Sequence, residues 1–252
     1  MSWRNFFPFI KTEKKLLRND FSPVQLDAHS HLIPGIDDGV ETVEESVEII
    51  RELYHLGFSR ITTTPHIMSE GYANSPETIL PGLEKVRQAL VEANLPVTLD
   101  VAAEYYLDEK FERMIDSEPL LTIGDKYLFF ELPFFNEPPN LKSAIFKMHA
   151  SGYKPILAHP ERYPYYYERG FRQYNELKEL GVMLQLNVLS LLGAYSALAQ
   201  KVAKDMVKQK LFDIIGTDTH GIKHIEMLKD CLKDKYIVNF LENYPLKNNS
   251  LY

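Results

Sequence analysis

The sequence predicts an α/β fold, a parallel sheet closed into a barrel of seven β/α units. Three observations predict it. Seven short apolar runs read as strands, at Val24–His29, Arg60–Thr64, Val97–Glu104, Tyr127–Glu131, Pro155–His159, Val182–Asn187 and Phe212–Thr217. Helix-like stretches alternate with them, at Glu41–Leu56, Pro76–Ala93, Asn140–Ser151, Arg172–Leu180, Ala194–Lys210 and from about Lys223 onward. Six of the seven strand-like runs finish in or beside a His, Asp or Glu. Strands that alternate with helices pair in parallel, and this many units favour closure over an open, doubly wound sheet, which is the alternative topology.

In chain order, residues 1–22 read as an N-terminal extension, partly helical around Lys11–Arg18, and residues 23–252 as a single barrel domain. The Glu41–Leu56 stretch has the clearest period, with Val43, Val47, Ile50 and Tyr54 on one stripe and charged residues largely elsewhere. Gly57, Gly152 and Gly181 each follow a helix-like stretch, where a left-handed cap costs glycine least. There is no fixed-period repeat and no low-complexity linker.

At 252 residues the chain is long enough to bury a large core. A formal net charge of −7 argues against nucleic acid and anionic membrane surfaces as partners. The single cysteine, Cys231, excludes an internal disulfide and fits a reducing compartment. No apolar run approaches a membrane span, and the N-terminus lacks the order of a secretory signal. The expectation is a cytoplasmic protein.

The segment Asp27-Ala28-His29-Ser30-His31 carries the first chemistry. Side chains alternate across a strand, so histidines at i and i+2 reach one cation. The Ile33–Gly39 stretch reads as a turn that returns a carboxylate to the same place; Asp38 is preferred for this, with Asp37 as a turn residue. Parallel α/β folds place ligands beyond the C-terminal ends of strands. There the sequence offers His66 after the second strand, Glu104 after the third, Glu131 after the fourth, His159 after the fifth, and Asp218 and His220 after the seventh. The sixth ends in Asn187, polar but a poor ligand.

Imidazole and carboxylate without thiolate suit manganese, iron or zinc better than calcium or magnesium. Nine ligand groups exceed the capacity of one ion, so a cluster of two or three metals follows, with a carboxylate such as Glu104 bridging. Clusters of this kind activate water and stabilise the entering and leaving oxygens of phosphoryl transfer.

The ordered motifs D-x-H-x-H, T-T-P-H, A-E-Y-Y, F-F-E-L, A-H-P-E-R-Y and G-T-D-T-H resemble the polymerase and histidinol phosphatase (PHP) superfamily, from about Leu26 to Ile222. Within it, H-L-I-P-G-I-D-D-G before an E-E-S helix, together with A-H-P-E-R-Y, resembles the bacterial capsule-type (CpsB/YwqE-like) protein tyrosine phosphatases. The resemblance implies a distorted TIM-like barrel of seven β/α units and a metal-dependent phosphatase. It implies manganese first, with iron or zinc as alternatives. The implied substrate is the phosphorylated tyrosine-rich C-terminal tail of a membrane-bound bacterial tyrosine kinase that regulates exopolysaccharide synthesis. Carried over by motif, His29, His31, Glu104 and Asp218 would hold one ion, Glu104, Glu131 and His159 a second, and Asp38, His66 and His220 a third. Arg162 would meet the phosphate, and Asp27 would orient a histidine.

The proton for the leaving phenolate is open among Asp218, His220 and Glu131. A cysteine route needs Cys-x5-Arg, and no arginine follows Cys231 at that spacing. Tyr105, Tyr106, Phe134, Phe135, Tyr163 and Tyr165 follow strand ends, as walls for a phenyl ring or as packing residues. His55, His149 and His224 read as helix residues. A small-molecule phosphatase of the histidinol-phosphate type is the competing function on the same metals. A non-catalytic binding module is the competitor from another class.

Overall fold

The computed structural model describes residues 20–167 and 170–252. The expected helix around Lys11–Arg18 lies outside them. Strand β1 is Leu26–Asp27, β2 Arg60–Thr63, β3 His66–Ile67, β4 Thr98–Val101, β5 Glu104–Tyr106, β6 Tyr127–Glu131, β7 Lys154–Leu157, β8 Met183–Asn187 and β9 Ile214–Gly216. The helices are α1 Val43–His55, α2 Pro76–Glu92, α3 Glu109–Ser117, α4 Leu141–Ala150, α5 Arg172–Glu179, α6 Val188–Leu192, α7 Ala197–Lys208, α8 Ile222–Cys231 and α9 Lys235–Asn243.

Every strand pair is parallel. The strands fall into two sheets, β1-β2-β4 and β3-β5-β6-β7-β8-β9. The α/β class and the parallel sheet therefore hold. The structure differs from the expectation in that a short strand, β3, follows the predicted Arg60–Thr64 run and the predicted Val97–Glu104 run is broken in two. Thr64-Pro65 separates β2 from β3, because proline has no N–H for the ladder, and Ala102-Ala103 separates β4 from β5. The outer edges meet through one isolated parallel bridge, Ser30–Thr219, rather than a ladder. Two backbone bonds reinforce it, His31 N to Thr219 O at 2.9 Å and Asp218 N to His29 O at 2.8 Å.

Alternation across the strands divides the core. Leu26, Ala28, Ala102, Phe129, Ile156, Ala158 and Ile214 form a small cluster with Ile123 and Leu251. Their strand neighbours Leu128, Phe130, Leu157 and Ile215 belong to the larger cluster shared with the helices. Phe21 is fully buried there and stacks on Phe58 at 4.9 Å, so packing begins before residue 23.

Helix α1 starts where the Thr42 side chain accepts the Glu45 N–H at 3.1 Å. Its buried face is Ser46, Ile49, Ile50 and Leu53. Of the predicted stripe only Ile50 is buried, because the Ser46 hydroxyl donates to the Leu32 carbonyl at 2.8 Å and turns that face inward. The unpredicted helices α3 and α6 are short and start at side-chain caps, Asp108 and Asn187. Among the described residues no helix is long and apolar enough to cross a membrane.

Candidate metal centre

The strand ends converge. His29 and His31 follow β1, and both are fully buried. Their Nε2 atoms lie 3.3 Å apart. Glu104 Oε2 is 3.2 Å from His29 Nε2 and 3.5 Å from His31 Nε2. Asp218 Oδ1 is 3.4 Å from each. His66 and Glu104 are register partners on β3 and β5, which sets His66 Nδ1 3.3 Å from Glu104 Oε2 and 3.3 Å from Glu131 Oε1. His159 Nε2 is 3.0 Å from Glu104 Oε1. At the mouth, Asp38 Oδ1 is 3.5 Å from His66 Nε2 and 3.4 Å from His220 Nε2. All nine predicted ligand residues are thus brought together, with Glu104 at the centre.

Local backbone features allow this convergence. A methyl group at Gly216 would lie 2.4 Å from the His29 Cβ, so only glycine lets β9 approach β1 so closely. At Gly39 it would lie 2.3 Å from the His31 carbonyl oxygen. His159 and Asp218 have positive φ, 34° and 52°. Left-handed backbone at two non-glycine residues costs on the order of 1 kcal/mol each and sits where the ligands are aimed.

The donor set fits divalent cations. Four overlapping groups hold their ligand atoms within 4.8 Å of one another: His31/Asp38/His66/His220, His29/His31/Glu104, His29/His159/Asp218 and His66/Glu104/Glu131. One buried imidazole nitrogen, His159 Nδ1, has no hydrogen-bond partner. His66 belongs to two groups, one through each ring nitrogen. The charges of the cluster hold one another. Burial pulls the His29 imidazole down, but Glu104 and Asp218 outweigh it and raise it to about 9. Burial also opposes the ionisation of Glu104 and Asp218, yet His29 and its neighbours hold both carboxyls well below the usual range. His220 holds Asp38 down at about 2.

Three residues orient side chains of the cluster. Gln185 Oε1 is 3.1 Å from His29 Nδ1, and Asp37 Oδ2 is 2.9 Å from His31 Nδ1. Asp37 was expected as a turn residue, but its carboxylate is buried against an imidazole and also accepts from His66 N at 3.1 Å. Asn187 donates through Nδ2 to Asp218 Oδ2 at 2.8 Å. Asp27 touches no imidazole ring, contrary to expectation. Its carboxylate accepts from Thr217 N at 2.9 Å, Thr217 Oγ1 at 2.7 Å and the His29 backbone N–H at 3.3 Å, and so ties β1 to the end of β9. Burial raises its carboxyl to about 6.

Arg162 lies beside the cluster in the 3₁₀ turn Pro160–Arg162. Its Nη1 donates to Asp218 Oδ2 at 2.8 Å, and its guanidinium lies 4.0 Å from the Tyr195 ring centroid and 5.3 Å from that of Phe134. These groups line a cleft of about 410 Å³ with Met68, Tyr72, Tyr106 and His224. The expected aromatic walls are corrected here. Tyr105 and Tyr163 are fully buried, with hydroxyls that accept from Leu121 N and Leu132 N, and neither lines the cleft. Tyr165 stacks on Tyr163 at 5.7 Å, away from the lining. The cleft aromatics are Tyr72, stacked on His66 at 5.5 Å, Phe134, stacked on His159 at 5.9 Å, Tyr106 and Tyr195. His224 on α8 also reaches the cleft, and its Nδ1 accepts from His220 N at 3.0 Å. Cys231 is buried in α8, with its thiol pushed up to about 12 by burial.

Fold and cluster define a parallel α/β protein with a candidate multinuclear metal centre just beyond the C-terminal ends of β1, β2, β4, β7 and β9 and at the end of β6, with His66 and Glu104 opening the short strands β3 and β5. The chain belongs to the capsular polysaccharide synthesis CpsB/CapC family, whose model matches residues 25–242. It is 27% identical over 199 residues to the tyrosine-protein phosphatase YwqE of Bacillus subtilis, covering 79% of this chain and 78% of that one. It is 27% identical over 231 residues to the putative tyrosine-protein phosphatase CapC of Staphylococcus aureus, covering 90% of each. Among solved structures, a chain from those of YwqE of Bacillus subtilis and CpsB of Streptococcus pneumoniae, described as metal-dependent tyrosine phosphatases, superposes with a TM-score of 0.73. That superposition covers 88% of this chain and 96% of that one at 24% identity, a likeness of fold.

Proposed function

We propose that this protein is a metal-dependent protein tyrosine phosphatase. The observation that carries this reading is the overlap of four imidazole–carboxylate groups in one cleft with a single guanidinium, Arg162, beside them. The family match and the phosphatase names of its relatives support the choice of reaction. The architecture is read as a distorted seven-unit barrel, with residues 23–252 as one domain. Two or three divalent ions, manganese first with iron or zinc as alternatives, are assigned to His29/His31/Glu104/Asp218, to Glu104/Glu131/His159, with His66 facing the same carboxylates, and to Asp38/His66/His220. When bound, they supply Lewis acidity and a water activated for in-line attack.

The chain's own residues do the rest. Arg162 spends one N–H on Asp218 and keeps the others for the equatorial phosphoryl oxygens, where charge collects in the transition state. Tyr72 and Phe134 wall the cleft for a phenyl ring. Burial opposes the charge on Asp218, but His29 and its neighbours outweigh it and hold the carboxyl well below the usual range, so Asp218 serves as an anion; His220 and Glu131 line the cleft from which the phenolate would depart. Buried Cys231 takes no part. The substrate is read as the phosphorylated tail of a membrane-bound bacterial tyrosine kinase that governs capsule synthesis, met in the cytoplasm.

The test compares kcat/KM on a tyrosine-phosphorylated peptide and on histidinol phosphate, with manganese and with or without iodoacetamide. Preference for the phosphopeptide by at least tenfold, unaffected by alkylation, is expected. Preference for histidinol phosphate would replace this reading with the small-molecule phosphatase.

A further inference from the structure

Strand β8, the sixth of the runs predicted from sequence, ends in no predicted ligand, yet its terminal residue touches the centre. Asn187 is fully buried at the end of β8. Its Oδ1 accepts the Leu189 N–H at 3.0 Å as the cap of α6. That bond fixes the amide's orientation and aims Nδ2 at Asp218 Oδ2, 2.8 Å away, and at the Tyr195 hydroxyl, 2.6 Å away. Asp218 Oδ2 also receives Arg162 Nη1 at 2.8 Å. With two donors on Oδ2, Asp218 offers Oδ1 to His29 and His31, at 3.4 Å from each. The Tyr195 ring lies under the same guanidinium at 4.0 Å. Glu161 closes the arrangement: its Oε1 accepts from Asn187 N at 3.1 Å and Ser190 Oγ at 2.7 Å, which ties the turn carrying Arg162 to α6.

The geometry points to Asn187 and Tyr195 as positioning residues that form one brace: Asn187 fixes Asp218 as a one-oxygen metal ligand, and Tyr195 holds the Arg162 guanidinium flat against the cleft. A carboxylate held by a fixed amide needs no reorientation to bind a cation, and outer partners of this kind tune metal affinity. A guanidinium stacked on an aromatic face keeps its fork in one plane, where phosphate recognition needs it. The Arg162 arm rests on the phosphatase reading; the Asp218 arm does not.

Asn187→Ser keeps a side-chain oxygen that caps α6 but is too short to reach Asp218. Manganese binding to chelator-stripped protein, followed by the paramagnetic signal of free manganese, should show at least a tenfold loss of affinity for one equivalent. Wild-type binding by a folded Asn187→Ser protein overturns that half. Tyr195→Phe keeps the ring, and Tyr195→Leu removes it, with Tyr195→Met as the replacement if the leucine variant does not fold. Calorimetric binding of inorganic phosphate to the manganese-loaded protein should stay within about threefold in Tyr195→Phe and weaken at least tenfold in the ringless variants. Manganese stoichiometry should be unchanged in all Tyr195 variants. Equal phosphate affinity with and without the ring overturns the second half. Should the wild-type protein bind no phosphate, the phosphatase reading fails, while the manganese result on Asn187→Ser still decides the first half.

Discussion

Asp37 Oδ2 sits 2.9 Å from His31 Nδ1, and that contact decides which nitrogen of His31 faces the cluster. With Nδ1 tied to a buried carboxylate, Nε2 is left toward His29, Glu104 and Asp218. Replacing Asp37 by Ala frees the ring and strands the His66 and Gly39 backbone N–H groups that the same carboxylate accepts. Metal affinity should fall about 10–100-fold, and unfolding free energy by about 1–3 kcal/mol. Metal titration and urea denaturation of Asp37→Ala check both. Wild-type metal affinity would mean that the ring is oriented by something else.

Arg162 is positioned by its ion pair and by two aromatic faces. Arg162→Ala should lower kcat/KM on phosphotyrosine peptide by about 100–1,000-fold. Arg162→Lys should recover little, because an ammonium offers neither the planar fork nor the stacking surface. Full activity in the alanine variant removes Arg162 from the reaction.

The metal-free protein should lose stability as pH rises from about 5 to 9. His29 has its folded value raised to about 9, so its contribution is whole below the unfolded value and fades through 9. Asp27 at about 6 and Glu161 at about 7 are carboxyls raised by burial, and their ionisation opposes folding over the same range. Below about pH 4 the depressed Glu104, Asp218 and Asp38 take over, and stability falls again on the acid side. Metal binding needs deprotonated imidazoles, so added manganese should restore most stability at alkaline pH. Melting temperatures in chelator and in manganese across pH 3 to 9 test this. A rise in the chelated protein's melting temperature between pH 5 and 9 would contradict it.

The two kinds of aromatic residue should separate by phenotype. Tyr163→Phe removes a hydroxyl that accepts from Leu132 N at 2.9 Å and donates to Ala158 O at 3.1 Å. It should cost about 1–3 kcal/mol of stability and leave KM alone. Phe134→Ala, at the cleft, should raise KM for aryl phosphates several-fold with little change in stability. The reverse pattern would return Tyr163 to the substrate.

The clustering of the candidate ligands was legible because a residue type at a strand end is a local fact, and parallel strands bring such ends to one place. His29, His31, His66, Glu104, Glu131, His159 and Asp218 needed only that rule. Asp37, Gln185 and Asn187 were not legible as supports, because their roles depend on which atom of a distant side chain they meet. Gln185 is a residue in the middle of a strand, and Asp37 is indistinguishable from a turn carboxylate beside Asp38. Tyr105 and Tyr163 failed for a related reason: position after a strand end does not say which way a ring points. The predicted stripe on α1 missed Ile49 and Leu53 because a buried serine, bonded to the Leu32 carbonyl, set the inward face. The strand breaks were half visible, in Pro65 but not in Ala102-Ala103.

Phosphotyrosine hydrolysis by this cluster should depend on the metals that it holds. This dependence is tested most directly by stripping the protein with chelator and titrating manganese while reading bound metal and phosphopeptide hydrolysis together. No hydrolysis is expected in the stripped protein, with its return as two or three equivalents bind and the loss of both in Glu104→Ala. Hydrolysis that persists without metal, or two tightly bound equivalents with no hydrolysis, would contradict it.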